Sequence, residues 1–395
     1  MRFIARLHVL AAAAIVTIFF ISWWRPSLNI QGRILKAWRR SSRRLVVFGD
    51  GWSDTGDYCV SPPPKSTVQH KDPDRGGLWT EALCEKLACD GIDNYARSIP
   101  SNLEVPTIGS VVDSDILTNA TFSKRNRTLT VFDFKAQVQQ FIDFEKQKLL
   151  IPRLPTKREW TIFTVFFGII DLLEYSALER IDAMRAIDQS VEELLHHLDV
   201  LAEHVGEPIR VIIPKLPDVT FLPRFQMKKN DSSSSFAQSQ HQSVFLWKYW
   251  NTALSQAAAK WGHGDLYMPD FNAIIMYQVR ASQLYSQLLS DVSIVGNQIS
   301  LFDEVKQPCL PLNPDGNELQ AADVDKCSEP ARYLFWDDMH LSGPAHELIG
   351  REAARLVSLN KTINDPQGRS SQGSTPGQTD GKNSAGFDLK FPPGY

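Results

Sequence analysis

VVFGDGWSDTGDY, Val46–Tyr58, opens as an apolar run and ends as a polar loop. With Leu45 before it, Leu45–Gly49 forms a short uncharged stretch that stops at glycine. Such a run fits a strand buried on both faces. It empties into Asp50, Gly51, Ser53, Asp54 and Thr55, the kind of loop that carries ligands beyond the carboxyl end of a parallel strand.

Outward from this stretch the pattern alternates. Leu78–Ala88, Phe132–Lys148, Ile181–Val205, Val244–Trp261, Phe271–Leu288 and Pro344–Leu359 have helical spacing. In the second of these, Phe134, Val138, Phe141 and Phe144 share one face. Ile92–Ala96, Trp160–Gly168, Ile209–Ile213 and Asp265–Met268 read as strands, Trp160–Gly168 the most apolar. Lys228–Gln242, KKNDSSSSFAQSQHQ, reads as a flexible surface loop. Strand alternating with helix predicts an α/β three-layer sandwich around a central parallel sheet, with the site beyond the strand ends.

The chain has 395 residues, 43% of them apolar, enough for a sizeable core. A net charge of −3 gives no general basic face, which argues against a nucleic-acid partner. Ten tryptophans and twenty-one phenylalanines suit a packed domain or one that stacks on sugars, with core packing the expected use of most. No His/Cys/Asp cluster shows ligand spacing, so no metal or other cofactor is expected.

Leu7–Trp24 is a nearly unbroken apolar run, and at about 1.5 Å per residue it approaches the ~30 Å of a bilayer core. Trp-Trp-Arg-Pro after it is a poor cleavage site, so the run reads as a transmembrane signal anchor, with a cleaved signal peptide as the alternative. Residues 1–6 form a short tail, 25–44 a basic linker, 45–360 the main domain and 361–395 a disordered tail. The arginines of the linker favour a cytosolic domain on the positive-inside rule. Against that stand four glycosylation sequons, at Asn119, Asn126, Asn230 and Asn360, which favour the lumenal or extracellular side. Among five cysteines, Cys309 and Cys327 flank a loop that a disulfide can staple. Cys84 and Cys89 can pair if the helix end between them unwinds, which leaves Cys59 over. Buried free thiols are the alternative for all five.

Several blocks resemble those of the SGNH, or GDSL, hydrolases. Val46–Tyr58 is similar to the family's F-G-D-S-L-S-D-T-G-N block, with the family's serine nucleophile falling on Gly51. Tyr333–His346, YLFWDDMHLSGPAH, resembles the F-W-D-x-x-H block and sets Asp337 and His340 where the triad acid and base belong. His346 reads as structural. Asn94–Asn102, NYARSIPSN, resembles a block whose oxyanion-hole glycine falls on Ile99. Phe167–Leu172, FGIIDL, resembles the G-x-N-D block, whose asparagine falls on Ile170, with Gly168 and Asp171 kept. The blocks look most like those of fungal acetylesterases that act on carbohydrates.

The resemblance implies an SGNH hydrolase-like, flavodoxin-like fold and an ester-binding cleft lined by Asp50, Ile99, Gly168, Ile170 and Asp171. It also implies weakened chemistry. An imidazole activates a hydroxyl, and Gly51 has none. Losing one oxyanion donor typically costs about 2.7–4 kcal/mol of barrier. The expected role is therefore a membrane-anchored, glycan- or ester-binding pseudoenzyme, with Arg97 offering the cleft a charge. The alternative is an active hydrolase in which Asp337 and His340 activate water, or Ser53 serves as nucleophile. In a third reading the pair is only a structural hydrogen bond.

Overall fold

The computed structural model describes residues 43–56, 73–98, 110–125, 133–149, 160–206, 208–227, 233–291, 295–296, 299–310 and 326–365. The chain divides into two compact units, 1–42 with 154–159, and the remainder. The first unit lies wholly outside the described residues, and Leu7–Trp24 with it. No helix of the described residues is long and apolar enough to cross a membrane.

The second unit is built on five strands: β1 (Arg43–Gly49), β2 (Gly91–Asn94), β3 (Trp160–Phe166), β4 (Ile209–Ile212) and β5 (Gly264–Tyr267). They form one all-parallel sheet in the order β2-β1-β3-β4-β5, as the apolar runs predict. Parallel neighbours need a covered crossover between them, and helices supply it. In chain order these are α1 (Trp79–Lys86), α2 (Ser114–Arg125), α3 (Phe134–Leu149), α4 (Ile169–Tyr175), α5 (Arg180–Val205), α6 (Pro223–Met227), α7 (Ser233–Ala258), α8 (Phe271–Ser286) and α9 (Gly343–Ser358).

The sheet is buried on both sides, and β3 shows how. Phe163 and Phe166 are three residues apart, so they point to opposite faces. Phe163 meets Phe48 and Phe141 of α3, whereas Phe166 meets Trp79 of α1 and Phe271 of α8. Trp52, Trp79 and Trp250 are wholly buried, so these tryptophans pack the core. From β1 the chain passes outward to β2 and then returns to the other side of β1 for β3. The order thus reverses between β1 and β3, where open sheets of this kind hold their ligands.

The structure differs from the sequence expectations at several places. Arg43 and Arg44, read as linker, begin β1, because Arg44 is ion-paired to Asp93 and to Glu145. Ser233–Gln242, read as loop, is the first part of α7. Its Phe236 packs on Phe225, and Gln242 Oε1 accepts from Arg180 Nε at 3.2 Å. The polar stretch gains tertiary partners that its serines do not advertise. Residues 361–365, read as tail, continue the domain, since Ile363 N–H bonds to Leu266 O at 2.9 Å. Five elements went unread: α2, α4, α6 and a small parallel pair formed by β6 (Glu304–Pro308) and β7 (Tyr333–Phe335).

Two disulfides form, Cys84–Cys89 and Cys309–Cys327. The first is possible because α1 ends at Lys86 and Ala88 takes a left-handed φ of 50°, which turns Cys89 back toward Cys84. Cys59 lies outside the described residues.

Candidate active site

The loop after β1 is held from three sides. Gln137 of α3 accepts from Gly49 N–H and donates to Gly49 O, both at 2.9 Å, and so pins the strand end. Asp50 Oδ1 accepts from Trp52 N–H at 2.9 Å. Asp54 Oδ2 accepts from the N–H and hydroxyl of Ser98, at 2.7 and 3.0 Å, and ties this loop to the segment after β2. Asp50, Ser53 and Asp54 are all buried.

The second half of the site comes from the turn after β7. Trp336 N–H bonds to His340 O at 2.9 Å, which closes a tight loop around Asp337. Asp337 Oδ1 accepts from the N–H groups of Met339 and His340, at 2.8 and 2.6 Å. Both carboxylate oxygens also lie 2.9–3.0 Å from His340 Nδ1. A carboxylate only accepts, so Nδ1 carries the hydrogen and Nε2 presents a lone pair. Burial alone would raise the Asp337 pKa. The positive charge that His340 carries when protonated, its hydrogen bond, the Arg75 guanidinium and the Met339 N–H hold it well below the usual carboxylate range.

Disulfide Cys309–Cys327 and β6–β7 brace this turn. Cys309 N–H bonds to Phe335 O at 3.0 Å and Leu310 N–H to Trp336 O at 2.8 Å. Lys326 lies over the Trp336 ring, 5.8 Å from its centroid. The two halves meet where Trp52 Nε1 donates to Met339 O at 2.9 Å.

They also meet at Gly51. A Cβ built on Gly51 would lie 2.5 Å from His340 Nε2 and 3.3 Å from Ser98 Oγ. The imidazole therefore leans into the space a side chain at residue 51 would fill. The amide of Gly51 donates to no acceptor among the described residues. The sequence profile of the GDSL-like lipase/acylhydrolase family matches residues 45–353 of the chain. The chain belongs to this family. Membership brings an ester-hydrolase-like function, and the sheet order and helix layers are those of its α/β fold. No curated protein sequence matches the chain.

Against the family blocks, the structure brings Gly51, Asp337 and His340 together and takes Ser53 elsewhere. Ser53 Oγ is fully buried, accepts from Trp79 Nε1 at 3.1 Å and sits under Gly49, whose Cβ would lie 2.9 Å from it. That environment suits Ser53 to packing and bonding. Gly168 caps α4 with a φ of 118°, and a Cβ there would strike Trp250 at 2.5 Å and Leu216 at 2.6 Å. Only glycine suits that conformation and that approach. Ile170 is buried in α4, and Asp171 Oδ1 accepts from Val112 N–H at 3.3 Å. Gly168 and Asp171 thus shape the site from behind. Ile99 lies outside the described residues.

Arg97, expected to charge the cleft, is buried, with Nη2 donating to Gln140 at 2.8 Å and Nη1 to Ala96 O. His346 is fully buried in the first turn of α9, edge-on to Trp52, as its structural reading predicts. Asn119 is exposed on α2, and Asn360 is exposed although its Oδ1 accepts from Tyr267 at 2.7 Å. Asn126 and Asn230 lie outside the described residues.

Two contributors escaped the sequence reading: Arg75 and Ser98. Burial lowers the Arg75 pKa against the pull of Asp337, Asp54 and Glu81. Asp54 was legible as a family match but not as the anchor of Ser98. Two carboxyls beneath the site also behave unusually. Burial, with Asp171 and Asp54 nearby, pushes Asp50 up to about 8. Burial, with Asp113 and Glu174 nearby, pushes Asp171 up to about 7. Both are proton carriers rather than fixed charges near neutrality.

Proposed function

We propose that the chain binds an acyl ester on a carbohydrate in the cleft between the β1 loop and the β7 turn, without serine-dependent turnover. In this reading Leu7–Trp24 tethers it to a membrane, with the domain on the lumenal or extracellular side. The observation that carries the proposal is the contact at Gly51. His340 Nε2 faces a residue that has no hydroxyl to give up, and the ring fills the room one would need. An enzyme stripped of its nucleophile keeps about 10³–10⁴-fold acceleration only when its oxyanion hole survives. Here Ile170 replaces a polar donor with a buried alkyl group, which argues against such a remnant. The acyl-ester class follows the family, and the carbohydrate is our extension from the resemblance read in the sequence blocks.

A second reading has a specific observation behind it. The Asp337–His340 pair is fully assembled, with Nε2 set up as a base, and water held near Gly51 would be its natural proton source. The deciding experiment uses the full-length protein, with p-nitrophenyl acetate and acetylated xylan as substrates. Parent, Gly51→Ser, Ser98→Ala and His340→Ala forms are compared. The expected outcome is no turnover by the parent above His340→Ala, together with stronger binding of acetylated than of deacetylated xylan. Parental turnover that disappears in His340→Ala overturns the proposal in favour of water attack. Its disappearance in Ser98→Ala as well would identify a relocated hydroxyl.

A further inference from the structure

On the outer part of α5, away from the cleft residues just described, Glu193, His196 and His197 each offer a ligand atom within 4.8 Å of the other two. The spacing accounts for this: i to i+3 and i to i+4 place both imidazoles on the turn above the carboxylate. The rings of His196 and His197 have centroids 5.3 Å apart. The group escapes a pattern of His, Cys and Asp spacings because one donor is a glutamate.

His197 makes the cluster more than a polar patch. Its ring is buried, only 7% exposed, edge-on to Phe134. Its Nε2 is buried and has no hydrogen-bond partner among the described residues. Such an orphan is costly, about 1–3 kcal/mol, unless something satisfies it. The nearest group on its helix, Glu193 Oε2, is 3.6 Å away. That separation is longer than a hydrogen bond, so the contact leaves the nitrogen unsatisfied. A buried ring nitrogen left without a hydrogen bond is a donor atom that a metal ion can take up.

We propose that Glu193, His196 and His197 form a binding site for a divalent transition-metal ion of the zinc class. Two imidazoles and one carboxylate are a donor set such ions take, with further positions filled by water. At metal–ligand distances of about 2.0–2.2 Å, tetrahedral ligands stand roughly 3.3–3.5 Å apart. Closing from 4.8 Å therefore needs about an ångström of movement. The movable partners supply it, since Glu193 has a 38% exposed side chain and His196 is exposed. His197 stays fixed by its packing. Asp113 and Asp133 add negative potential at the ring, and both are occupied as caps: Asp113 accepts from Ile116 N–H and Asp133 from Ala136 N–H. They favour a cation without competing for it. This site is independent of the ester-binding reading.

The test is a Co²⁺ titration of full-length, chelator-stripped protein, read by visible absorption, with Zn²⁺ displacement and Mg²⁺ as control. One Co²⁺ per chain, displaced by Zn²⁺ and not by Mg²⁺, is expected. Loss of even an outer partner of a metal ligand costs about 10–100-fold in affinity, so His196→Ala and Glu193→Gln should weaken binding at least tenfold. Both positions are solvent-facing, and the metal-free unfolding midpoint should not move. Absence of a Co²⁺ spectrum, or equal Co²⁺ affinity in His196→Ala and the parent, overturns the proposal.

Discussion

Gly51 has two consequences that single substitutions can measure. A methyl group there would press on His340 Nε2, whose ring Asp337 already fixes. Gly51→Ala is predicted to lower unfolding free energy by about 1–3 kcal/mol, the usual cost of overpacking, in chemical denaturation. Wild-type stability in Gly51→Ala would mean that the ring is free to withdraw. Ser53→Ala should behave differently. It removes the acceptor of Trp79 Nε1 in a sealed environment, a loss of about 1–3 kcal/mol, and should leave ligand binding at the cleft unchanged. Weaker binding of acetylated xylan by that variant, at full folding, would return Ser53 to the site. Asp337, His340 and Gly51 were legible from the sequence because their neighbours form recognisable blocks. Arg75 and Ser98 were not, because their relation to Asp337 and Gly51 is one of space and not of spacing.

At the level of elements, the apolar runs predicted every strand of the large sheet, and burial explains why. β1 and β3 are covered along most of their length, so hydrophobicity alone marks them, whereas β2 at the sheet edge is half-buried and only weakly marked. The same logic misses β6, which is short, half-covered and mixed in composition, and β7, whose three residues are too few to mark a run. It also misses the first ten residues of α7, whose serines suggest solvent while Phe236 finds Phe225. The junction of β3 and α4 offers a sharper test. Gly168→Ala sets a Cβ against Trp250 at a φ that L residues rarely adopt. Strain and overpacking together should cost about 3 kcal/mol or more, read as a lowered denaturation midpoint. Restoration by a smaller residue at Trp250 would assign the overlap, and not the φ, as the larger share.

For the whole molecule, pH and the disulfides are the levers. Asp50 and Asp171 hold protons in the folded state that an unfolded carboxyl gives up near about pH 4. The folded protein therefore binds more protons across the interval, and stability falls as pH rises from about 4 to about 8. Asp337 acts in the opposite sense and only below about pH 4, where its protonation removes the His340 pairing. Denaturation midpoints from pH 4.5 to 8 should decline in the parent, and Asp171→Asn should flatten the slope. A parental midpoint that rises through this interval would refute ionisable, buried carboxyls. Breaking Cys309–Cys327, which spans 18 residues, should cost about 3 kcal/mol by chain entropy, measured in a Cys309→Ser/Cys327→Ser double variant. That bridge was legible as a staple, but its attachment to β7 was not. Gly51 sits in the loop that follows β1 of the large sheet, while Asp337 and His340 hang from the small one and its sulfur bridge, and the Trp52 indole spans the gap. Under the proposed function, a molecule lodged across that seam would act as a clasp, tightening two separately braced walls without any bond being cut.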